Sequence, residues 1–256
     1  MDIATAKRLC AINTCFYQEH HASFSSSRQS AWPGWELCLP FIQKAARGGV
    51  VRLLDLACGN LRFEGFLRTQ LTDLRLDYFA VDNCDALALP AASGDSRLLR
   101  YQHLDILDVL FEGQELAGQL EASRCDVAVM FGFMHHVPLE RYRQALLAAL
   151  IQSLRPGGFA LVTFWQFLNN AELRAKALQT HRVALKALEL SNLDEHDFLL
   201  SWNNLPGAYR YCHSFSEGEI NQFIEAFAGE VEVVSRFASD GRTGDLNTYL
   251  VLQKRV

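Results

Sequence analysis

VRLLDLACGN, residues 51 to 60, places a short apolar run, Val51-Arg52-Leu53-Leu54, against Asp55 and then against the small residues Ala57, Cys58 and Gly59. A buried parallel strand reads as such a run, and open α/β sheets bind ligands at the carboxyl ends of their strands. Small residues there let a ligand approach the backbone, and Asp55 puts a carboxylate at the same edge. The dinucleotide fingerprint G-x-G-x-x-G and the phosphate cradle G-x-x-x-x-G-K-[ST] are both absent. An acidic edge suits a cationic ligand better than a pyrophosphate. Taken alone, the stretch has an ordinary strand-to-turn junction as its lesser alternative.

Strands and helices alternate outward from this point. Strands are expected at 51–56, 76–81, 98–104, 126–131 and 159–164, and helices at 61–70 and 139–154. Asp85 to Leu89 falls in a turn, residues 106–121 in loop and helix, and Arg155-Pro156-Gly157-Gly158 in a tight turn. This rhythm implies a parallel α/β sheet with right-handed crossovers. Before it, residues 1–48 form a helical leader: a helix over 12–20, a polar turn over 23–30 carrying Arg28, and a helix over 35–46 with Pro33 in its first turn. Trp32 and Trp35 either pack on the core or form the apolar lid of a site.

After the core at 49–167 comes a helical insertion, 168–205, with a helix over 171–190 and an acidic loop, Asp194-Glu195-His196-Asp197. Arg174, Lys176, His181, Arg182 and Lys186 form either a solvated helix face or a basic stripe toward substrate. The C-terminal part, 206–256, reads as a helix over 216–227 with a Ser216/Glu219 capping box, then strands over 231–237 and 247–253 joined by a turn at 240–244. All 256 residues are expected to form one domain.

Composition limits the function. Half the residues are hydrophobic and 21% are charged, and no run approaches the roughly 18 apolar residues of a membrane span. The N-terminus lacks a signal-peptide pattern. Seven cysteines without C-x-x-C spacing read as reduced thiols of a cytoplasmic protein. A net charge of −5 supplies no global field for nucleic acid, so a local basic patch or a partner subunit would have to attract RNA. His135 and His136 are adjacent, with no H-x-x-x-H pattern and no nearby acid, so no metal is expected.

Asp82 ends the second expected strand and Asp105 the third. A carboxylate accepts two hydroxyl donors at once, which fits a ribose, while Asp105 with Ile106 fits an adenine amino group and ring. Each acid alone is commonly a cap or turn residue, but three at successive strand ends exceed what capping requires. Ribose, adenine and a cationic end without phosphate describe S-adenosylmethionine. Here the chain resembles the class I methyltransferases, through DLACGN (55–60), AVDN (80–83), HLDI (103–106), the strand at 126–131 and LRPGG (154–158). The resemblance implies a Rossmann-like fold with a mostly parallel seven-stranded sheet. It places Asp55, Ala57, Gly59, Asn60, Asp82, Asn83, Asp105, Ile106, Phe131 and Gly132 at the cofactor. The family loop continues C-G-x-G, whereas this chain has Leu61 at the second glycine.

A narrower resemblance covers most of the chain outside the insertion. SFSSSRQSAWPGW (23–35), FMHHVPLERYRQAL (133–146), YRYCHSFSEGEI (209–220) and LNTYLVLQ (246–253) look like segments of the tRNA wobble-uridine methyltransferases, which esterify a 5-carboxymethyl group. It implies tRNA as partner, a small activating subunit as in eukaryotic members, and roles for Arg28, His135, His136, Arg210, Tyr211 and His213. Arg28 serves both the cofactor and the acceptor side in this reading. A carboxylate acceptor is already ionised at neutral pH, leaving alignment and desolvation as the enzyme's task. Arg28 or Arg210 would grip the acid, and Tyr209, Tyr211, Phe215 and Trp32 would stack a base, unless the first three face the core of a strand. Two other readings stand beside this one: a methyltransferase for a small acid or other metabolite, and a non-catalytic cofactor-binding subunit, supported by Leu61.

Overall fold

A computed structural model describes residues 1–92, 99–191, 193–203 and 205–256. The expected Leu98 start of the third strand lies outside them. Two leader helices, α1 (Ile3–Ser26) and α2 (Pro33–Ala45), precede the alternating core. That core runs β1 (Val50–Leu56), α3 (Arg62–Gln70), β2 (Arg75–Asp82), α4 (Asp85–Ala92), β3 (Leu99–His103), α5 (Ile106–Phe111), α6 (Leu116–Gln119), β4 (Cys125–Met130), α7 (Glu140–Gln152) and β5 (Leu154–Trp165). Then follow α8 (Ala171–Ala187), β6 (Asp197–Ser201), β7 (Tyr209–His213), α9 (Glu217–Ala226), β8 (Val231–Ser239) and β9 (Asn247–Lys254).

Seven strands form one sheet in the order β3-β2-β1-β4-β5-β9-β8, parallel except for β9, which runs antiparallel to β5 and β8. Alternation along β1 divides the core into two layers. Leu54 and Leu56 join the cluster beneath α5, α7 and α9, while Val51 and Leu53 join the cluster beneath α2 and α3. Helix starts follow their caps: Asp105 accepts from the Leu107 and Asp108 amides, and Ser216 and Glu219 make the expected capping box.

The structure departs from the sequence expectations in five places. α1 continues through the expected polar turn to Ser26, because Ser23 and Ser26 return their hydroxyls to carbonyls three residues back. Asp85 to Leu89 is helical. The 155–158 turn is absorbed into β5 as a register shift against β4, where a side chain on Gly158 would approach the Cys125 and Asp126 carbonyls to 3.0 Å. The insertion is not purely helical: β6 pairs antiparallel with β7 in a second sheet, placing Asp197 inside a strand rather than a loop. Tyr211 and Phe215 are buried in the core, which removes them as base-stacking walls.

α2 is locked to the closing strands through Asp240. Its carboxylate accepts from the Gly34 amide (3.0 Å), the Asn247 side chain (2.8 Å) and the Tyr249 hydroxyl (2.6 Å). Gly34 must be glycine, since a Cβ would sit 2.3 Å from the Tyr249 ring.

Leu61 adopts the left-handed conformation, φ +54°, at the start of α3. That position favours glycine, yet the side chain is buried (3% exposed) in the cluster of Trp35, Phe63 and Val129. Glycine there would relieve about 1 kcal/mol of backbone strain, whereas deleting a buried leucine costs about 3 kcal/mol or more. Leu61→Gly is therefore expected to destabilise the fold by about 2 kcal/mol in urea unfolding; a stabilised variant would show that backbone strain outweighs burial.

Candidate active site

The carboxyl ends of β1, β2 and β3 open into one cleft with about 1110 Å³ of empty space, solvent at its mouth included. Loop 57–61 forms its floor through three left-handed residues, Ala57 (φ +63°), Gly59 (φ +54°) and Leu61 (φ +54°). A side chain on Gly59 would meet nothing within 4 Å, so the backbone there faces open space. The loop is tied to β2 by the Cys58 amide on the Val81 carbonyl (3.0 Å) and the Gly59 amide on Asp82 (2.8 Å). Asn60 ties it to the leader by donating to Ser25 Oγ and the Arg28 carbonyl. Leu61 points away from the cleft into the core, which removes the support it gave to a non-catalytic reading.

Three carboxylates share one wall. Asp55 is buried and accepts from the Tyr78 hydroxyl at 2.5 Å; burial, with Asp82 and Glu64 nearby, pushes its pKa up to about 7. Burial also raises Asp82, opposed by the Gly59, Cys84 and Asn83 amides. Asp105 uses one oxygen to cap α5 and accepts from Asn83 Nδ2 with the other, at 2.5 Å. All eleven residues expected at the cofactor line the cleft: Arg28, Asp55, Ala57, Gly59, Asn60, Asp82, Asn83, Asp105, Ile106, Phe131 and Gly132. Gly132 has φ +72°, and a Cβ on it would lie 3.0 Å from Trp32, which stacks on buried Trp35 at 5.5 Å.

Of the five expected catalytic residues, Arg28 and His136 line the cleft, whereas His135, Arg210 and His213 do not. His135 is buried beside Trp165 (ring centroids 5.0 Å), with Nδ1 lacking a partner. His213 is buried between carboxylates, Nδ1 on Asp197 and Nε2 on Glu219, both at 2.7 Å. Arg210 is buried against Phe16 and Trp202.

α1 supplies the roof, which the sequence reading did not identify. Cys10, Asn13, Thr14, Tyr17 and Phe24 face the cleft, with Arg28 just beyond the helix. Their spacing follows one helical face, a signal available in the sequence once the helix is known to reach Ser26. Asn13 pairs with the Tyr211 peptide, accepting its N–H (2.7 Å) and donating to its carbonyl (3.1 Å). That carbonyl also accepts from His136 Nδ1 (2.9 Å), which fixes the proton on Nδ1 and leaves Nε2 to accept the Tyr17 hydroxyl (2.8 Å). Burial and the charge of Arg210 drive the His136 pKa down to about 3, and burial raises that of Tyr17. Both line the site as neutral groups.

No family model matches the chain. Over 160 residues, 58% of the chain, it is 27% identical to the tRNA (carboxymethyluridine(34)-5-O)-methyltransferase ALKBH8 of Macaca fascicularis and 28% identical to that of Mus musculus. It spans 19% of the length of each. Among solved structures, a 1,6-didemethyltoxoflavin-N1-methyltransferase of Burkholderia thailandensis aligns with TM-score 0.63 at 15% identity, over all of this chain and 93% of that one. A SAM-dependent methyltransferase of Methanosarcina mazei aligns with TM-score 0.60 at 18% identity, over 85% of this chain and 98% of that one. The fold is that of the class I S-adenosylmethionine-dependent methyltransferases, and the wobble-uridine resemblance read from the sequence is matched by the two curated relatives.

His136 should remain a neutral Nδ1–H imidazole down to about pH 4, where an exposed histidine would have titrated near 6.5. Nitrogen-15 NMR of the ring checks this, and a midpoint near pH 6.5 would overturn the assignment.

Proposed function

We propose that the chain is an S-adenosylmethionine-dependent methyltransferase whose acceptor is the carboxymethyl group of a wobble uridine in tRNA. The observation that carries the cofactor is the convergence of Asp55, Asp82 and Asp105, from three adjacent strand ends, on one wall of the cleft above the Gly59 loop. The donor set is acidic, the sequence lacks a phosphate cradle, and the backbone at Gly59 is open, so the residues fit a phosphate-free, cationic nucleoside.

Asp82 would accept the ribose hydroxyls through lone pairs left free by its two amide partners. Asp105 and Ile106 would hold the adenine, and Asp55 would face the cationic methionine end. When bound, S-adenosylmethionine supplies a methyl group that an acceptor oxygen takes as the sulfur–carbon bond breaks, its electron pair staying on sulfur. A carboxylate acceptor has no proton to lose, which agrees with the weak basicity of His136, its pKa lowered to about 3, and with Tyr17 holding its proton. Their work is to shape the cleft and exclude water, while Arg28 supplies a cation for the acceptor.

The acceptor rests on the likeness to the ALKBH8 methyltransferases and on Arg28 of the leader motif lying in the same cleft as the three acids. A small carboxylic acid is the second reading, favoured by the net charge of −5 and by a cleft roofed by α1. Mass spectrometry of tRNA nucleosides from cells lacking this protein should show unmethylated carboxymethyluridine accumulating. An unchanged nucleoside profile, together with no tRNA binding at low salt, would remove the RNA reading.

Cofactor binding should depend on pH through Asp55. With a pKa of about 7 in the free protein, Asp55 carries a proton at lower pH, and a cationic partner requires it ionised. Affinity for S-adenosylmethionine should thus rise with pH up to about 7 and level off above, with proton release on binding at about pH 6. Asp55→Asn should flatten this profile. Calorimetry in buffers of different ionisation enthalpy reads it, and a wild-type affinity independent of pH would take Asp55 off the cationic end.

A further inference from the structure

Beside the cleft, a cluster of aromatic rings carries two arginines. Arg28 lies 5.4 Å over the Phe24 ring and 5.7 Å over the Trp202 ring, and Arg210 lies 4.9 Å over Trp202 and 5.1 Å over Phe16. Phe16 and Phe24 each touch Trp202, with centroids 5.7 and 5.8 Å away, and Ser23 of α1 accepts the Trp202 indole N–H. Neither arginine forms a salt bridge among the described residues, where Arg52, Arg68, Arg100, Arg155 and Arg236 all do. Arg210 is 8% exposed, and its buried Nε has no hydrogen-bond partner. Arg28 lines the cleft, and the charge of Arg210 adds to burial in lowering its pKa.

Two guanidiniums sharing one ring, Arg210 buried and Arg28 half-buried, repel each other and are costly without an anion. Ring stacking offsets part of that cost but does not neutralise the charge. The two guanidiniums therefore have no carboxylate counterion among the described residues. The three acids line the same cleft as Arg28, so an anion entering it is drawn to the arginine and repelled by the carboxylates.

We propose that Arg28 and Arg210, seated on Trp202, form an anion subsite that receives the carboxylate of the methyl acceptor. Arg28 is the contacting residue, and Arg210 is a positioning charge behind it. Phe24, half-buried and lining the cleft, offers a face for a planar base next to that carboxylate. A single contacting guanidinium leaves one carboxylate oxygen able to accept the methyl group, which two direct arginine contacts would oppose by stabilising the ground state. The subsite deepens the methyltransferase reading and rests on it for the identity of the acceptor, but its binding can be measured without turnover.

The test uses the full chain saturated with S-adenosylhomocysteine and three probes: 5-carboxymethyluridine, its uncharged amide 5-carbamoylmethyluridine, and uridine 5′-monophosphate. Calorimetry should show the carboxylate binding at least about tenfold more tightly than the amide. Arg210→Met should remove most of that preference and Arg210→Lys retain part of it, with S-adenosylhomocysteine affinity and circular dichroism reporting whether each variant is folded. Equal binding of carboxylate and amide by the wild type overturns the proposal, whatever the variants do. Arg210-dependent binding of uridine 5′-monophosphate without carboxylate preference assigns the charge to a phosphate and also overturns it. If the carboxylate preference holds while tRNA nucleosides are unchanged in cells lacking the protein, the subsite stands and the tRNA reading falls. Loss of the preference with tRNA methylation intact removes the subsite alone.

Discussion

The amide of Asn13 acts as a strand edge for a single residue. It accepts from the Tyr211 N–H and donates to the Tyr211 carbonyl, joining positions 198 residues apart in a buried site. The Tyr211 N–H would otherwise be an unsatisfied donor in the interior, so the pairing is close to obligatory. Much of the site follows from it. α1 lies across the cleft because Asn13 docks it on β7, and Tyr17, one turn later, reaches His136. His136 is oriented by the same Tyr211 carbonyl. One peptide group thus sets the roof of the cleft, the tautomer of the histidine and the direction of the tyrosine hydroxyl.

Charge is divided across the cleft rather than balanced within pairs. Acids lie at the ends of β1, β2 and β3; cations lie on the leader and β7, as Arg28 and Arg210. Arg62 adds a further cation over Trp32 and Trp35. A net charge of −5 says nothing of this separation, which is why composition alone argued against an anionic partner. Local fields at a desolvated site outweigh the screened sum over the surface.

Much of the core was legible because its signals are local. The apolar run of β1, the acids at strand ends and the capping box at Ser216 each act within a few residues. The seven-stranded sheet, and the eleven residues expected at the cofactor that share one cleft, came from such signals together with family resemblance. What the sequence hid depends on pairing between distant segments. β6 fell within the expected helical insertion, with Asp197 read as the end of an acidic loop, because its partner β7 lies across a connection; the polar run from Ser23 looked like a turn because serine hydroxyls bonding back into a helix leave no pattern. The burial of Tyr211 follows from α1 and β7 meeting, which no window of sequence contains. Leu61 broke the glycine pattern for a related reason. A three-dimensional pocket of Trp35, Phe63 and Val129 accepts its side chain and outweighs the strained backbone.

The arginine pair on Trp202 bears on what happens once the acceptor has reacted. Esterification turns an anion into a neutral group of nearly the same shape. A subsite that holds its occupant by charge would lose its grip at the moment of transfer, while shape and stacking stay as they were. Discharge of the product then needs no separate opening signal, and an already modified molecule is a poor competitor for the next one. If the pair holds the acceptor as proposed, the reaction itself would be the release mechanism, and a pool of finished product would compete only weakly for the site.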